Sequence, residues 1–372
     1  MIKFNNFFYG LVLIALAFQT IKFYSFYLEY SDWQYADWLI NYQGGFIRRG
    51  MVGEILFQIH NIFKIKLDLL VLIFICLLYL LLTFFLIKSI QYLSNSKLDI
   101  LIFISPGFFI YPIMNSEIIG RKELLLFAVI GTFVFLEKNF RGKYLLVALV
   151  SSIFLVSLTH SGLLFYTPYL IFIYFLIKIN RKEKSYLNEL LIILLTILIT
   201  LSLIYFNQGT KSQVFEICNS IKNYILEDCP SRAQFGWLAT PVQEHLNVKI
   251  DSGLINYIFF YLISLILVFI FMSIKLYSSN FNTYNIILNK FNPFYVLLFL
   301  FLLTIPIYIL GYDWGRYICM SYFCSFFIYI YCIKKRFLKF NFNKFSLNFN
   351  ISNKFFILFT IIYTLAWTFP FY

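Results

Sequence analysis

The sequence predicts an all-α polytopic membrane protein with about eleven transmembrane helices and an N-in/C-out orientation. Of its 372 residues, 61% are hydrophobic and 22% are aromatic, and the mean hydropathy is +0.80. A soluble chain of this size could not bury so much apolar surface. The hydrophobic residues also occur in runs of about 17 to 23, the length at which a helix crosses ~30 Å of hydrocarbon. The alternation typical of a membrane β-barrel is absent, so we expect residues 1–372 to form one helical membrane domain.

The basic residues lie mainly between the hydrophobic runs. The net charge of +13 is dispersed in this way, which is typical of topology signals and does not indicate nucleic-acid binding. The first run is longer than the core of a signal peptide and lacks a small-residue cleavage site, so we expect it to be an uncleaved first span. The eleven predicted spans cover residues 7–28, 68–90, 98–114, 123–136, 144–160, 162–179, 189–206, 253–274, 294–311, 315–333 and 355–372.

The third and fourth spans have a second interpretation. The third contains Ser105-Pro106-Gly107 and Pro112, and the fourth is short. Proline interrupts the hydrogen bonding of a helix interior. Residues 98–136 are therefore expected to form either two spans or a broken, re-entrant hairpin.

The distribution of charge between alternate loops predicts the orientation. With the amino terminus in the cytoplasm, the inner segments hold 18 basic residues and the outer segments hold 11. Of the 17 acidic residues, four fall on the inner side: Asp99, Glu137, Glu183 and Glu189. This asymmetry follows the positive-inside rule and predicts an inner amino terminus and an outer carboxyl terminus.

Polar stretches that are not topology signals all fall on the predicted outer side. They are YSDWQYADW (30–38), GGFIRRGMVGE (44–54), NSEIIGRKE (115–123), THSG (159–162), a large loop at 207–252, and GYDWGRY (311–317). The inner loops are short and basic, and no glycine-rich phosphate loop is present. We therefore expect the outer face to carry the function.

The first outer loop, residues 29–67, is predicted to contain two amphipathic helices in the membrane interface. The sequence GGFIRRG lies between them, where glycine allows close backbone approach and arginine offers a planar fork that matches phosphate oxygens. Arg48 and Arg49 have a second interpretation, as ligands of lipid head groups or as topology signals. Two sets of apolar residues recur at helical spacing: Trp33, Ala36, Leu39 and Ile40, and then Ile55, Ile59, Ile62 and Phe63.

Basic side chains stand at two further outer span ends, in GRKE and DWGR. Several arginines at one membrane face indicate a common anion, and at this depth the anion is expected to be a lipid diphosphate. The predicted diphosphate-binding residues are Arg48, Arg49, Arg121, Lys122 and Arg316.

A site that transfers a glycan also needs a base to accept a hydroxyl proton. A histidine or acid at a span end is alternatively a hydrogen-bonded core residue or half of an ion pair. No metal-ligand spacing occurs, so neither a metal nor a cofactor is expected. The candidates for the base on the outer side are Asp32, Asp37, Asp313, His160 and His245.

The cysteines divide between spans and one outer loop. Cys218 and Cys229 both lie in the 207–252 loop, which is predicted to face the oxidising side. A disulfide between them is the expected state there, with two free thiols as the alternative.

The blocks GFIRRG, GRKE and DWGR, a first outer loop with Asp and Arg, and one enlarged late outer loop resemble a bacterial O-antigen or capsule repeat-unit polymerase. This resemblance covers the whole chain as architecture. It implies a protein of the bacterial inner membrane with its active face in the periplasm. It also implies a functional histidine in the large outer loop, a place that His245 occupies in PVQEHLN.

The resemblance implies a metal-free glycosyl transfer. The growing glycan on undecaprenyl diphosphate would be the donor, and a lipid-linked repeat unit would be the acceptor. Arginines would stabilise the charge of the departing diphosphate. Membrane lipids and a chain-length regulator are the further partners it implies.

Other functions remain open at this stage. A glycosyltransferase that uses a polyprenyl-phosphate sugar would have Asp32 or Asp37 as its main base. A lipid-linked oligosaccharide flippase would show internal repeats and charges midway through spans, which are not evident. A membrane O-acyltransferase would need its catalytic residues near a cytoplasmic donor, which the predicted topology disfavours.

Overall fold

The computed structural model describes residues 2–31, 33–94, 96–183, 187–225, 229, 233–240, 257–340 and 353–365. These residues are mainly helical, with one pair of short antiparallel strands, β1 (Ser279–Phe281) and β2 (Leu338–Phe340). Short 3-10 helices cover Ala36–Leu39, Ser116–Ile118, Glu137–Asn139, Ser161–Tyr166 and Lys222–Tyr224. The α-helices are α1 Ile2–Leu28, α2 Met51–Phe63, α3 Leu67–Ile90, α4 Lys97–Phe103, α5 Tyr111–Met114, α6 Glu123–Leu136, α7 Lys143–Thr159, α8 Thr167–Asn180, α9 Leu187–Phe206, α10 Lys211–Ile221, α11 Ala233–Gly236, α12 Ile258–Tyr277, α13 Ile286–Asn289, α14 Pro293–Leu302, α15 Ile305–Leu310, α16 Trp314–Lys334 and α17 Asn353–Leu365.

The long apolar helices identify an all-α, multi-pass membrane protein. Within the described ranges, seven segments are long and apolar enough to cross a membrane. Two shorter apolar helices cover Lys143–Thr159 and Lys354–Leu365. The count of eleven spans and their orientation stay predictions. The seven segments are Asn6–Leu28, Leu67–Ile90, Ser161–Asn180, Leu187–Phe206, Ile258–Tyr277, Pro293–Leu310 and Trp314–Lys334.

Helix α16 forms the centre of the bundle. Every residue from Gly315 to Cys332 on it is buried. Phe323 stacks on Phe127 of α6 with ring centroids 4.1 Å apart, and Phe326 lies 4.3 Å from the ring of Phe108. Trp314 to Tyr317 of GYDWGRY form the first turn of α16 and Gly311 to Asp313 precede it, so the packing of α16 fixes their position.

Of the two interpretations left open for residues 98–136, a continuous helix over 98–114 does not occur, because the helix breaks at Ser105-Pro106-Gly107. Helix α4 ends at Phe103, and only the single turn of α5 follows. A Cβ on Gly107 would lie 2.6 Å from Val268 Cγ1, so this backbone packs directly against α12. Irregular backbone at membrane depth is stable only where protein satisfies its polar groups. Carbonyl groups in the break accept such hydrogen bonds: Ile102 from Tyr322 (2.6 Å), Ile104 from Thr364 (3.2 Å) and Phe109 from Gln19 (3.0 Å).

The second interfacial helix of the first outer loop is present as α2. Its residues Ile55, Ile62 and Phe63 are exposed, whereas Val52 and Leu56 are buried. An exposed apolar face of this kind fits a helix that lies in the membrane interface.

The predicted first interfacial helix is wrong. The helical spacing of Trp33 to Ile40 produces only the 3-10 turn Ala36–Leu39, all four residues of which are buried. Close packing against α2 accounts for this burial, since a Cβ on Gly53 would lie 2.0 Å from the Ile40 carbonyl oxygen. The apolar residues of this segment face protein and not lipid.

Ionic contacts join the connecting segments into two groups. In one group, Lys275 pairs with Asp99 and Lys334 pairs with Glu137, and strands β1 and β2 join the same connections. The other group joins segments 30–54, 115–123, 207–240 and 311–317. These are the two sets of loops that the sequence analysis assigned to opposite sides of the membrane.

Candidate functional site

A cavity of about 1080 Å³ lies among the segments of the second group. Among the described residues, its walls hold five cationic side chains and four carboxylates, a formal net charge of +1 for these nine side chains. The five cations are the residues that the sequence analysis assigned to diphosphate binding: Arg48, Arg49, Arg121, Lys122 and Arg316. The carboxylates are Asp37, Glu117, Glu123 and Asp313.

The glycine–arginine turn places Arg48 and Arg49 on the cavity wall. Gly45 and Gly50 have φ values of +104° and +130°, which a residue with a Cβ rarely adopts. The amide of Gly50 donates to the Leu158 carbonyl at 3.0 Å, which anchors the turn to the end of α7. The four glycines of this stretch are therefore explained partly by backbone conformation and partly by close contacts.

The turn also contacts the large outer loop. The Arg48 amide donates to the Asn207 carbonyl at 2.9 Å, and its guanidinium donates to the Trp237 carbonyl at 2.9 Å. A Cβ on Gly44 would lie 2.3 Å from the Gln213 carbonyl oxygen. The two outer loops thus pack directly on each other beside the cavity.

Asp37 lies between two of the cations. Arg49 donates to both of its carboxylate oxygens, at 3.1 and 3.3 Å, and Lys122 Nζ lies 3.4 Å from Oδ2. Burial raises the pKa of Asp37, but the charges of Arg49, Lys122 and Arg121 outweigh it and lower the pKa below its usual value. Asp37 is therefore an ionised partner that holds Arg49 and Lys122 in place.

Asp313 lies between two further cations, Arg121 and Arg316. Its Oδ2 lies 3.5 Å from Arg121 Nη1 and 3.0 Å from Arg316 Nη1, and Arg316 Nε lies 3.3 Å from Glu123 Oε1. Among the described residues, Oδ1 of Asp313 accepts no hydrogen bond. This carboxylate therefore keeps one oxygen available on the cavity wall.

Several of the cations have unused hydrogen-bond donors. Arg48 has no carboxylate partner among the residues described, and Nε of Arg48, Nε of Arg49 and Nζ of Lys122 are buried without a hydrogen bond there. Burial, opposed by Asp37, lowers the pKa of Lys122 to about 8, and burial together with Arg49 lowers that of Arg48 to about 10. Lys122 keeps its ion pair with Asp37, whereas the buried Nε groups of Arg48 and Arg49 have no hydrogen bond among the described residues, and such donors are costly and favour an anion.

His160 lies on the same wall, between α7 and the 3-10 helix Ser161–Tyr166. Its Nδ1 accepts a hydrogen bond from the Gly162 amide at 3.2 Å. Because the Gly162 amide is a donor, Nδ1 carries no proton in this arrangement.

One wall of the cavity is apolar, and sequence reasoning missed it. Leu201, Ile204 and Tyr205 of α9 face the cavity, and their spacing places them on one helical face. Ile307 and Leu310 of α15 approach from the other side. We define the apolar arm as Leu164, Phe165, Leu201, Ile204, Tyr205, Ile307 and Leu310. The only sequence signal was that two apolar spans adjoin polar outer stretches.

Aromatic rings complete the lining. Trp237 lies on the cavity wall with its ring 5.7 Å from that of Tyr312, and the Arg121 guanidinium lies 5.4 Å from the ring of Trp33. Aromatic faces of this type can stack on sugar rings. The sequence analysis did not select these three aromatic residues.

The remaining predicted residues lie elsewhere or outside the description. Asp32 and His245 fall outside the described residues. Cys218 and Cys229 form a disulfide, which joins α10 to the following part of the large outer loop. In the described ranges, no group of three or more His, Cys, Asp and Glu side chains could hold a metal ion.

Comparison with known proteins finds no relative of this chain. The arrangement of Asp37, Arg49, Lys122, Asp313 and Arg316 is therefore the basis for any assignment of function. No protein-family model, no curated protein and no solved structure matches the chain.

Proposed function

We propose that the cavity binds a lipid diphosphate and that the protein polymerises lipid-linked oligosaccharide repeat units there. One observation carries the proposal: five cations share a cavity with an apolar arm, and buried nitrogens of three of them, Arg48, Arg49 and Lys122, have no hydrogen bond among the described residues. A soluble anion would need only the first feature and an apolar ligand only the second. An amphiphile with a diphosphate head group needs both.

The charge balance supports a multiply charged head group. Asp37 and Asp313 each lie between two cations, so the cluster is held together before any ligand binds. Such a preformed set of donors loses little free energy to rearrangement when an anion enters. Arginine forks also match the geometry of phosphate oxygens.

The chemistry we propose is a direct displacement. The acceptor hydroxyl oxygen forms a bond to the anomeric carbon of the donor glycan while the bond from that carbon to the diphosphate oxygen breaks. The free Oδ1 of Asp313 accepts the hydroxyl proton, and the arginines stabilise the charge on the departing undecaprenyl diphosphate. Asp37, with both oxygens occupied, positions Arg49 and Lys122.

The membrane arrangement we propose is the eleven-span, N-in/C-out topology in a bacterial inner membrane. The two groups of loop contacts support it, because each contains only segments assigned to one side. Residues 98–114 then cross as a broken segment and not as one helix. The active face is periplasmic, where a chain-length regulator could contact the outer loops.

Arginine replacements test the proposal in cells deleted for the gene. Arg49→Lys and Arg316→Lys keep the charge but lose the planar fork, so we expect at least a tenfold loss of long-chain polysaccharide on a gel at normal protein level. Arg141→Lys is the matched control, because Arg141 is exposed and lies among the predicted inner segments. Unchanged chain length in both cavity variants would reject the diphosphate site.

The glycan that remains distinguishes the function classes. Loss of a polymerase should leave surface glycan one repeat unit long. Loss of a flippase should leave none, and loss of a glycosyltransferase that uses a polyprenyl-phosphate sugar should leave a unit that lacks one sugar. Mass spectrometry of the lipid-linked glycan distinguishes these three outcomes by the mass of the glycan that remains.

A further inference from the structure

The hydrogen bond between Gly162 and His160 determines which ring nitrogen of the histidine carries its proton. The Gly162 amide is a donor, so Nδ1, which accepts from it at 3.2 Å, must be unprotonated. In a neutral imidazole the proton is then on Nε2. No other hydrogen bond or ion pair of His160 occurs among the described residues, so the Nε2–H group is unused.

Gly162 is also the residue that permits this geometry. A Cβ at this position would lie 2.7 Å from Ile307 Cδ1 and 3.2 Å from His160 Cε1. Any larger residue would displace the imidazole or the apolar arm. The ring is thus held between its own backbone turn and α15, on the wall of the cavity.

The charges around the ring favour a neutral imidazole. Four of the cavity cations, Arg49, Arg316, Lys122 and Arg121, act on it. The nearby carboxylates, Asp37, Asp313 and Glu123, are each paired with one or two of these cations. A proton added to Nδ1 would also have to break the bond from Gly162. The ring is therefore poorly suited to accept the hydroxyl proton.

We propose that His160 binds the anion in this cavity as a neutral donor, through a hydrogen bond from Nε2–H to a phosphate oxygen, and is not the base. The proposal rests on the proposed diphosphate site and refines it. The imidazole adds a donor without adding charge, so it can contact the bound diphosphate without repelling the arginines beside it. No proton is transferred at this residue, and the base remains a carboxylate.

A purely structural role for His160 makes the opposite prediction for two variants. His160 is the residue before the 3-10 helix Ser161–Tyr166, and its Nδ1 caps that helix. In His160→Asn, the amide oxygen can keep the cap but no group reaches the position of Nε2. In His160→Gln, the amide nitrogen can reach the position of Nε2 but the cap is lost.

The first test measures the affinity of the purified full chain for inorganic pyrophosphate by calorimetry. We expect His160→Asn to weaken binding by roughly tenfold to a hundredfold, the effect of one hydrogen bond to a charged group, and His160→Gln to weaken it less. Equal or stronger weakening in His160→Gln, or wild-type affinity in His160→Asn, would overturn the proposal.

The second test determines which imidazole nitrogen of His160 carries the proton, by nitrogen NMR of protein labelled at histidine. The chain has three histidines, so removing His60 and His245 in turn assigns the signals. We expect His160 to be neutral and protonated on Nε2 from pH 8 to pH 6, with a shift of Nε2 on addition of pyrophosphate. Protonation on Nδ1, titration within that range, or binding without a shift would contradict the role of His160 alone. If the wild-type protein does not bind pyrophosphate, the anion site itself is absent and this inference falls with it.

Discussion

Arg49 donates to both carboxylate oxygens of Asp37, at 3.1 and 3.3 Å, although both side chains are almost completely buried. A buried pair of this kind contributes modestly to stability as a whole, but removing one partner leaves an uncompensated charge. In this protein the pair also fixes a cavity arginine, in the turn before α2, relative to the 3-10 helix Ala36–Leu39. Its disruption should therefore affect stability and anion binding together.

We expect Asp37→Asn to destabilise the purified protein by about 3 to 5 kcal/mol at pH 7. The pKa of Asp37 is lowered in the folded protein, so its contribution is complete above the unfolded value of about 4 and is lost as the pH falls through the lower folded value. The difference in Tm between wild type and variant should be constant from pH 7 to pH 5 and should shrink below pH 4. A difference that instead disappears between pH 7 and pH 5 would show that another group is responsible.

Lys122 should make anion binding sensitive to alkaline pH. Its pKa of about 8 means that it loses its charge as the pH rises through that value. Wild-type affinity for pyrophosphate should fall above pH 8 relative to Lys122→Arg, which keeps its charge and shares any titration of the probe. Lys143→Arg, at an exposed lysine of α7, serves as the control and should follow the wild type. Parallel profiles for wild type and Lys122→Arg would exclude Lys122 from the site.

The disulfide between Cys218 and Cys229 should stabilise the outer loop that borders the cavity. The two cysteines are 11 residues apart, and closing a loop of this length contributes up to about 3 kcal/mol. The double variant Cys218→Ala/Cys229→Ala should therefore melt at a lower temperature and bind pyrophosphate more weakly, because Trp237 and Gln208 of this loop line the cavity. Mass spectrometry of non-reduced peptides should find the link, and alkylation of both thiols without reductant would refute it.

The contact between Gly107 and Val268 should behave as a coupled pair. Gly107→Ala places a Cβ against Val268 Cγ1 and is expected to cost about 1 to 3 kcal/mol. Adding Val268→Ala should recover part of that loss, which thermal unfolding of the single and double variants will measure. Gly10→Ala is the matched control, since nothing lies within 4 Å of its new Cβ. Strictly additive effects would mean that the two residues are not in contact.

The predicted orientation is open to a direct measurement. Reporter domains fused after residues 185, 230 and 345 should be found inside, outside and inside. The physical reason is the excess of basic residues in the inner segments. A fusion at residue 142, beside the exposed Arg141, adds a control in a connection assigned to the inner side. Inner accessibility of the residue 230 fusion would move the cavity to the cytoplasmic face.

The sequence was sufficient for the class of the fold and for the five cations of the cavity. Arg48, Arg121 and Arg316 lie far apart in the chain, yet each stands beside glycine or acid at the outer end of a span, and the structure brings them to one cavity. The spacing of apolar residues could not predict whether a segment faces lipid or is buried against protein. Trp33 to Ile40 and residues 98–114 have helical or apolar spacing, but tertiary packing against α2 and α12 overrides it.

The sequence also could not predict which charged side chains form ion pairs with one another. Asp37 was a candidate base because it is an acid in an outer loop, and only its contacts show that both its oxygens are used. The apolar arm was hidden for a related reason. Ile204 and Leu310 belong to ordinary hydrophobic runs, and nothing in such a run marks the few side chains that face a cavity instead of lipid.

The length of α16 determines how far the cluster lies from the opposite side of the bilayer. From Arg316 to Lys334 the helix rises by ~27 Å at 1.5 Å per residue, close to the ~30 Å thickness of the hydrocarbon layer. With Lys334 at one water boundary, Arg316 lies within ~3 Å of the other boundary of the hydrocarbon layer. The lipid diphosphate that we propose as the ligand would then reach the arginines by lateral diffusion within the leaflet on that side. The length of α16 thus determines the height of Arg316 in the bilayer. Inserting one helical turn into α16 should separate the cluster from its proposed ligand while every contact residue stays unchanged.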